Sequence, residues 1–106
     1  MPKYLIEASY TQQGIEGVMS AGGSSRSEAV AAACKSIGGT MESFHFAFGD
    51  VDAYVICDLP SNEAASALAL RVNASGGVSA KTIVLLTPEE VDAATKQSAD
   101  YRAPGD

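Results

Sequence analysis

Apolar and polar residues alternate from Lys3 to Tyr10, with Tyr4, Ile6, Ala8 and Tyr10 on one face and Lys3, Leu5, Glu7 and Ser9 on the other. A period of two predicts a strand with its first face turned to a core. The period then lengthens. Ile15, Val18 and Met19 recur at i, i+3 and i+4 behind Thr11, which predicts a short capped helix that Gly22-Gly23 breaks. Val30, Ala33, Cys34 and Ile37 resume the helical spacing, with Ser25 and Glu28 as a capping box and Gly38-Gly39 as the stop. Residues 40–48 and 51–59 are β-rich runs around Gly49-Asp50, a pair suited to a tight hairpin. Pro60 suits a helix start, and Ala65, Leu68, Ala69 and Val72 form an apolar stripe that ends near Gly76-Gly77. Residues 78–86 read as a last strand, and Thr87-Pro88-Glu89-Glu90 predicts a short capped helix from Pro88 to about Thr95.

The order β-α-β-β-α-β is the split βαβ arrangement, an α+β ferredoxin-like sandwich in which both main helices cover one face of a four-stranded antiparallel sheet. Residues 1–96 are expected to form this domain and residues 97–106 a flexible tail. In the hairpin, Phe44, Phe46 and Phe48 share a face with Ala53, Val55 and Cys57, which is the side to pack under the helices. Met41, Ser43, His45 and Ala47 share the bare face with Asp52, Tyr54 and Ile56. A loop of two or four residues keeps that pairing, whereas a bulged loop of three would shift it. Leu5, Met41, Tyr54 and Ile56 on the bare face make an apolar patch that predicts an interface between copies of the chain.

Composition narrows the class. A chain of 106 residues, 46% hydrophobic and 19% charged, suits one packed core rather than a disordered polymer. Thirteen acidic residues against seven basic ones leave a formal charge of -6, and no two of the basic residues are neighbours in sequence, so nucleic acid is not an expected partner. No stretch approaches the ~18 apolar residues of a membrane span, and a cytoplasmic protein without a membrane partner is expected. Cys34 and Cys57 fall in a helix and a strand with no metal-ligand spacing around them, and are expected to be buried, reduced thiols.

The stretch Phe46-Ala47-Phe48-Gly49-Asp50-Val51-Asp52, followed by an apolar strand and Leu59-Pro60, resembles the GYD-domain family. The resemblance runs from Tyr4 to Glu90 and includes Gly22-Gly23 to Arg26, Gly38-Gly39 and Leu86-Thr87-Pro88-Glu89-Glu90. Gly49 and Asp52 match the ends of the Gly-Tyr-Asp signature, and Val51 stands where its tyrosine is expected. Membership implies a ferredoxin-like fold related to the dimeric α/β-barrel proteins, which associate through their open sheet faces. That wider group includes cofactor-independent monooxygenases, isomerases, haem-handling enzymes and ligand-sensing domains, so the fold alone implies no activity and no cofactor.

Candidate chemistry centres on His45, the sole histidine, expected beside Tyr54 with Asp52 nearby and Glu7 on an adjacent strand. An imidazole oriented by a carboxylate and facing a phenol can pass protons near neutral pH, so His45, Tyr54 and Asp52 are the candidate catalytic group. The competing reading is that these groups only hydrogen-bond across an interface. Glu7 and Ser43 are candidate ligand contacts on the same face, and Arg26 behind the Gly22–Ser25 stretch is a candidate anion contact. Ser43 has no base beside it to make it a nucleophile. Two functions follow: an oligomeric small-molecule-binding protein with cofactor-independent proton transfer at His45, or a noncatalytic homo-oligomeric assembly or regulatory module.

Overall fold

A computed structural model describes residues 1–106. Its elements run β1 (Lys3–Tyr10), α1 (Gln12–Ala21), α2 (Gly23–Ser36), β2 (Thr40–Phe46), β3 (Ala53–Asp58), α3 (Asn62–Ala74), β4 (Val78–Leu85) and α4 (Pro88–Thr95). The sheet is antiparallel in the order β2-β3-β1-β4, the ferredoxin-like arrangement expected from the pattern. Each strand of the inner pair, β3 and β1, is bonded on both edges, so the deepest residues lie there.

The core follows the alternation. Tyr4, Cys57 and Leu59 are sealed against Cys34 of α2 and Ala65 and Leu68 of α3, with Val30, Ile37 and Val72 packed around them. The Tyr4 hydroxyl donates to Asn62 Oδ1 at 2.7 Å, so the buried phenol spends its polar end on the first turn of α3. Cys34 and Cys57 are free and fully buried as expected. They lie against each other, and the hydrogen bond shared between the sulfurs, together with burial, pushes the Cys57 thiol far up.

Four local expectations are corrected. The Ser25–Glu28 capping box does not form: α2 begins at Gly23 and its cap is Gly22, which makes no side-chain cap bond. Gly22 takes φ 89°, a left-handed value that lets α1 end and α2 begin without an intervening loop. The hairpin is not tight either. β2 stops at Phe46 and β3 starts at Ala53, and Phe48 sits fully exposed between them rather than under the helices. Nonetheless, Phe46↔Ala53, Phe44↔Val55, His45↔Tyr54 and Ser43↔Ile56 pair in the expected register.

The remaining two corrections lie at the ends of elements. A bulge at Glu42 slips the register so that Met41 pairs with Cys57 and packs on the core, instead of facing out from the bare side. Glu42, the extra residue, reaches Lys3 Nζ at 2.7 Å, and Asp58 accepts from the same ammonium at 3.0 Å. These hydrogen bonds raise the Lys3 pKa, Glu42 contributing most. At the start of α3, Ser61 rather than Pro60 marks the boundary, its hydroxyl accepting from Ala64 N at 3.1 Å.

The C-terminal helix stands apart. Thr87 and Glu90 make both bonds of the expected capping box, yet every residue of α4 is exposed. Residues 97–106 hold no helix or strand. The chain is correspondingly long, 55 × 34 × 23 Å, with a radius of gyration of 16.7 Å against about 13 Å for a compact domain of this size. No helix is long and apolar enough to cross a membrane.

Candidate functional site

The six residues singled out from the sequence separate onto different parts of the sheet. His45, Tyr54, Glu7 and Ser43 do share the open face. The register aligns them in two rows across the strands: His45–Tyr54–Glu7–Lys81, and beside it Ser43–Ile56–Leu5–Ile83. The first row is polar, with the phenol between the imidazole and the carboxylate and the opposite charges of Glu7 and Lys81 paired at its end. The second is largely apolar. Lys81 and Ile83 belong to this face but were missed from the sequence because β4 was assigned as a strand without a register against β1.

Asp52 does not orient His45. Its carboxylate accepts from Tyr10 N at 2.8 Å, while its own N–H donates to Ala8 O at 2.9 Å and its carbonyl accepts from Ala47 N at 2.8 Å. Strand β3 begins one residue later, at Ala53, and the Asp52 side chain replaces the carbonyl that a longer strand would offer β1. The aspartate of the signature thus closes the end of the ladder, satisfying a backbone donor that would otherwise be left open. His45 is exposed and its imidazole makes no hydrogen bond, so the imidazole–carboxylate pair expected from the sequence is absent.

Arg26 lies on the opposite side of the sheet. It lines an open cavity of about 560 Å³ between α1, α2 and α3 over the ends of β1 and β4. The walls come from helical spacings. Gly14, Gly17 and Ala21 of α1 line it at i, i+3 and i+7, and so do Arg26, Ala29 and Ala33 of α2. Leu68, Arg71, Val72 and Ser75 of α3 complete the third wall at i, i+3, i+4 and i+7. Residues at these spacings share one helix face. Because the α1 and α2 faces carry little beyond glycine and alanine, the helices meet the sheet without filling the space between them. A smaller apolar recess of about 60 Å³ lies directly beneath, shared at Arg26, Ala29, Ala33, Leu68 and Val72 and floored by Ile6, Phe44 and Val55.

The electrostatics of this cavity are one-sided. Arg26 and Arg71 line it and no aspartate or glutamate does. The ion pairs of the fold are confined to Lys3 with Glu42 and Asp58, so neither arginine has a carboxylate within 4.0 Å. Arg26 Nε is buried with no hydrogen-bond partner. Its guanidinium lies beside the Tyr10 phenol, whose pKa is raised by burial; Arg26 partly offsets that rise and the Asp52 charge adds to it. The phenol is therefore neutral near pH 7 and can donate a hydrogen bond. Tyr10 in turn packs on Phe46 with centroids 6.3 Å apart, and Phe46 meets Phe44 edge-on at 5.0 Å.

No group of three or more His, Cys, Asp or Glu side chains is arranged to hold a metal ion. The cavity was missed from the sequence because only the larger apolar residues of the first helix were read, and Ala33 was read as core. The small-residue face shared by Gly14, Gly17 and Ala21, opposite an arginine-bearing face on α3, was the available signal.

No curated protein and no solved structure matches the chain. A family model described as GYD domain matches residues 4–95 of the 106, which takes in both the helix-side cavity and the open face, and the chain belongs to the GYD domain family.

Proposed function

We propose that the protein is a homo-oligomeric small-molecule-binding protein whose ligand sits between the helices and the sheet and whose copies meet through the open sheet face. The observation that carries the reading is the cavity of about 560 Å³, a size within the ~300–1,000 Å³ of small-molecule sites, with a mixed lining of apolar and polar groups.

Assembly is supported by a second surface. Leu5, Ile56, Ile83 and Tyr54 form a continuous apolar patch on the open face, and α4, with Val91 among its exposed residues, projects from the domain without a surface of its own to cover. A second copy of the chain offers both a matching sheet face and a seat for the arm. For a reaction at the open face, His45 is the group to carry a proton, with the Tyr54 phenol beside it and Glu7 one strand further. The noncatalytic reading, in which the row His45–Tyr54–Glu7–Lys81 only hydrogen-bonds across the interface, is favoured by its run of donors and acceptors and by the opposite charges of Glu7 and Lys81.

Native mass spectrometry of freshly purified protein tests both halves together. The expected spectrum shows an oligomer carrying an added small mass that is lost on denaturation. Light scattering that gives the mass of one chain throughout the micromolar range refutes the assembly, and Ile56→Asp should dissociate it where it exists.

A further inference from the structure

We infer that the ligand of the helix-side cavity is an organic carboxylate with an apolar body, its carboxylate held by Arg26 and Arg71 and its body directed into the recess beneath. The inference rests on the proposal that the cavity binds a small molecule and adds the chemical class of that molecule. Three observations carry it, and they are independent of one another.

The first is one unpartnered donor of a cation that otherwise meets only the Tyr10 phenol. Buried polar atoms in native proteins have hydrogen-bond partners in the great majority of cases, and the exception here is Arg26 Nε. A guanidinium offers five N–H donors in a planar fork, and a carboxylate or phosphate is the partner that fits two of them at once. The second is the absence of any competing acid. The chain carries 13 acidic residues against 7 basic ones, yet two of those seven line this cavity and none of the thirteen does. In a protein of formal charge -6, such a site draws an anion into a place where the remainder of the surface would repel it. The neutral Tyr10 phenol beside Arg26 supplies a further donor.

The third observation separates the organic anion from an inorganic one. The recess that shares walls with the cavity is lined almost wholly by hydrophobic side chains: Ile6, Ala8, Val30, Phe44, Val55 and Ala80 line it beyond the residues common to the two spaces. An inorganic phosphate would occupy the arginine end and leave this recess empty, whereas an aliphatic or aromatic group attached to the acid buries apolar surface there. The arrangement therefore reads a charge and an apolar body at a set distance from each other.

Isothermal titration of the full chain with hexanoate and phenylacetate, each against its neutral amide and against inorganic phosphate at matched ionic strength, tests the assignment. At least one acid is expected to bind about tenfold or more tightly than its amide and than phosphate, since the charged hydrogen bonds are lost in the one and the apolar contact in the other. Arg26→Met and Arg71→Met should each weaken the acid about tenfold and leave the amide unchanged. The Arg26→Met protein without ligand should melt no lower than wild type, because the substitution removes a buried donor that has no partner; a role confined to structure would instead lower it. Equal binding of acid and amide, or phosphate that matches the acids, overturns the chemical class while leaving the cavity a ligand site. If neither acid nor amide binds and no mass co-purifies with the chain, the binding reading itself falls.

Discussion

Gly14 and Gly17 lie one helical turn apart on the same face of α1, and replacing each with alanine should move stability in opposite directions. A Cβ on Gly17 meets nothing within 4 Å, so the substitution adds only helix propensity, about 0.5–1 kcal/mol. A Cβ on Gly14 would stand 1.9 Å from the Gly77 carbonyl oxygen, where 3.0 Å is the closest tolerable approach, and both groups are backbone. Opening that gap pulls α1 from the start of β4, where Thr11 N donates to Gly77 O at 3.0 Å and Thr11 Oγ1 donates to Gly76 O at 2.8 Å. Loss of both bonds costs about 1–3 kcal/mol, which outweighs the same gain in propensity. The two variants should therefore differ by about 1–3 kcal/mol, or some 4–20 °C in melting temperature for a domain of this size. Urea unfolding followed by far-ultraviolet circular dichroism measures the difference, with equal m-values needed for the midpoints to be compared. Stabilisation by both substitutions to the same extent would refute the close approach of α1 to Gly77, and with it this wall of the cavity.

Three shorter predictions address other parts of the fold. Tyr4→Phe removes the 2.7 Å bond to Asn62 while keeping the buried ring, and should lower stability by about 0.5–1.5 kcal/mol in the same urea assay; no change would mean that the bond contributes nothing beyond water's. The folded-state pKa of Tyr10 is raised above 10.0, so its contribution to stability is fully present below the unfolded value and is lost as pH climbs through the folded one. Absorbance at 295 nm, compared between wild type and Tyr10→Phe, should show this phenol ionising late, and later still in Arg26→Met; an earlier ionisation in that variant would contradict the placement of the guanidinium. His45→Gln should leave assembly intact by light scattering and abolish any proton-transfer activity found by substrate screening, and retention of such activity at the wild-type rate would assign the histidine to the interface alone.

Much of the fold was legible in local pattern because strands and helices impose periods of their own. The alternation from Lys3 to Tyr10 identified the core face of β1, and Val30, Cys34 and Ile37 identified that of α2. The pairing of His45 with Tyr54 followed from counting back from the turn, and it held although the loop proved longer, because the residues unpaired on the two strands were equal in number. Position in the sequence could not reveal events that depend on a neighbour's path. The bulge at Glu42 turned Met41 inward against Cys57, and the start of β3 at Ala53 left the Asp52 carboxylate on the β1 backbone and away from His45.

The chain by itself determined the order of elements, the alternation of faces and the family resemblance, since each is written in residue types a few positions apart. Only the tertiary structure decided where functional groups converge. Arg26 and Arg71 are separated in sequence and sit on different helices, and they share a cavity because glycine and alanine on α1 and α2 leave the space between those helices and α3 unfilled. The physical reason is that a helix face is specified by spacing, whereas a void is specified by what several faces fail to supply together, which no single stretch of sequence contains.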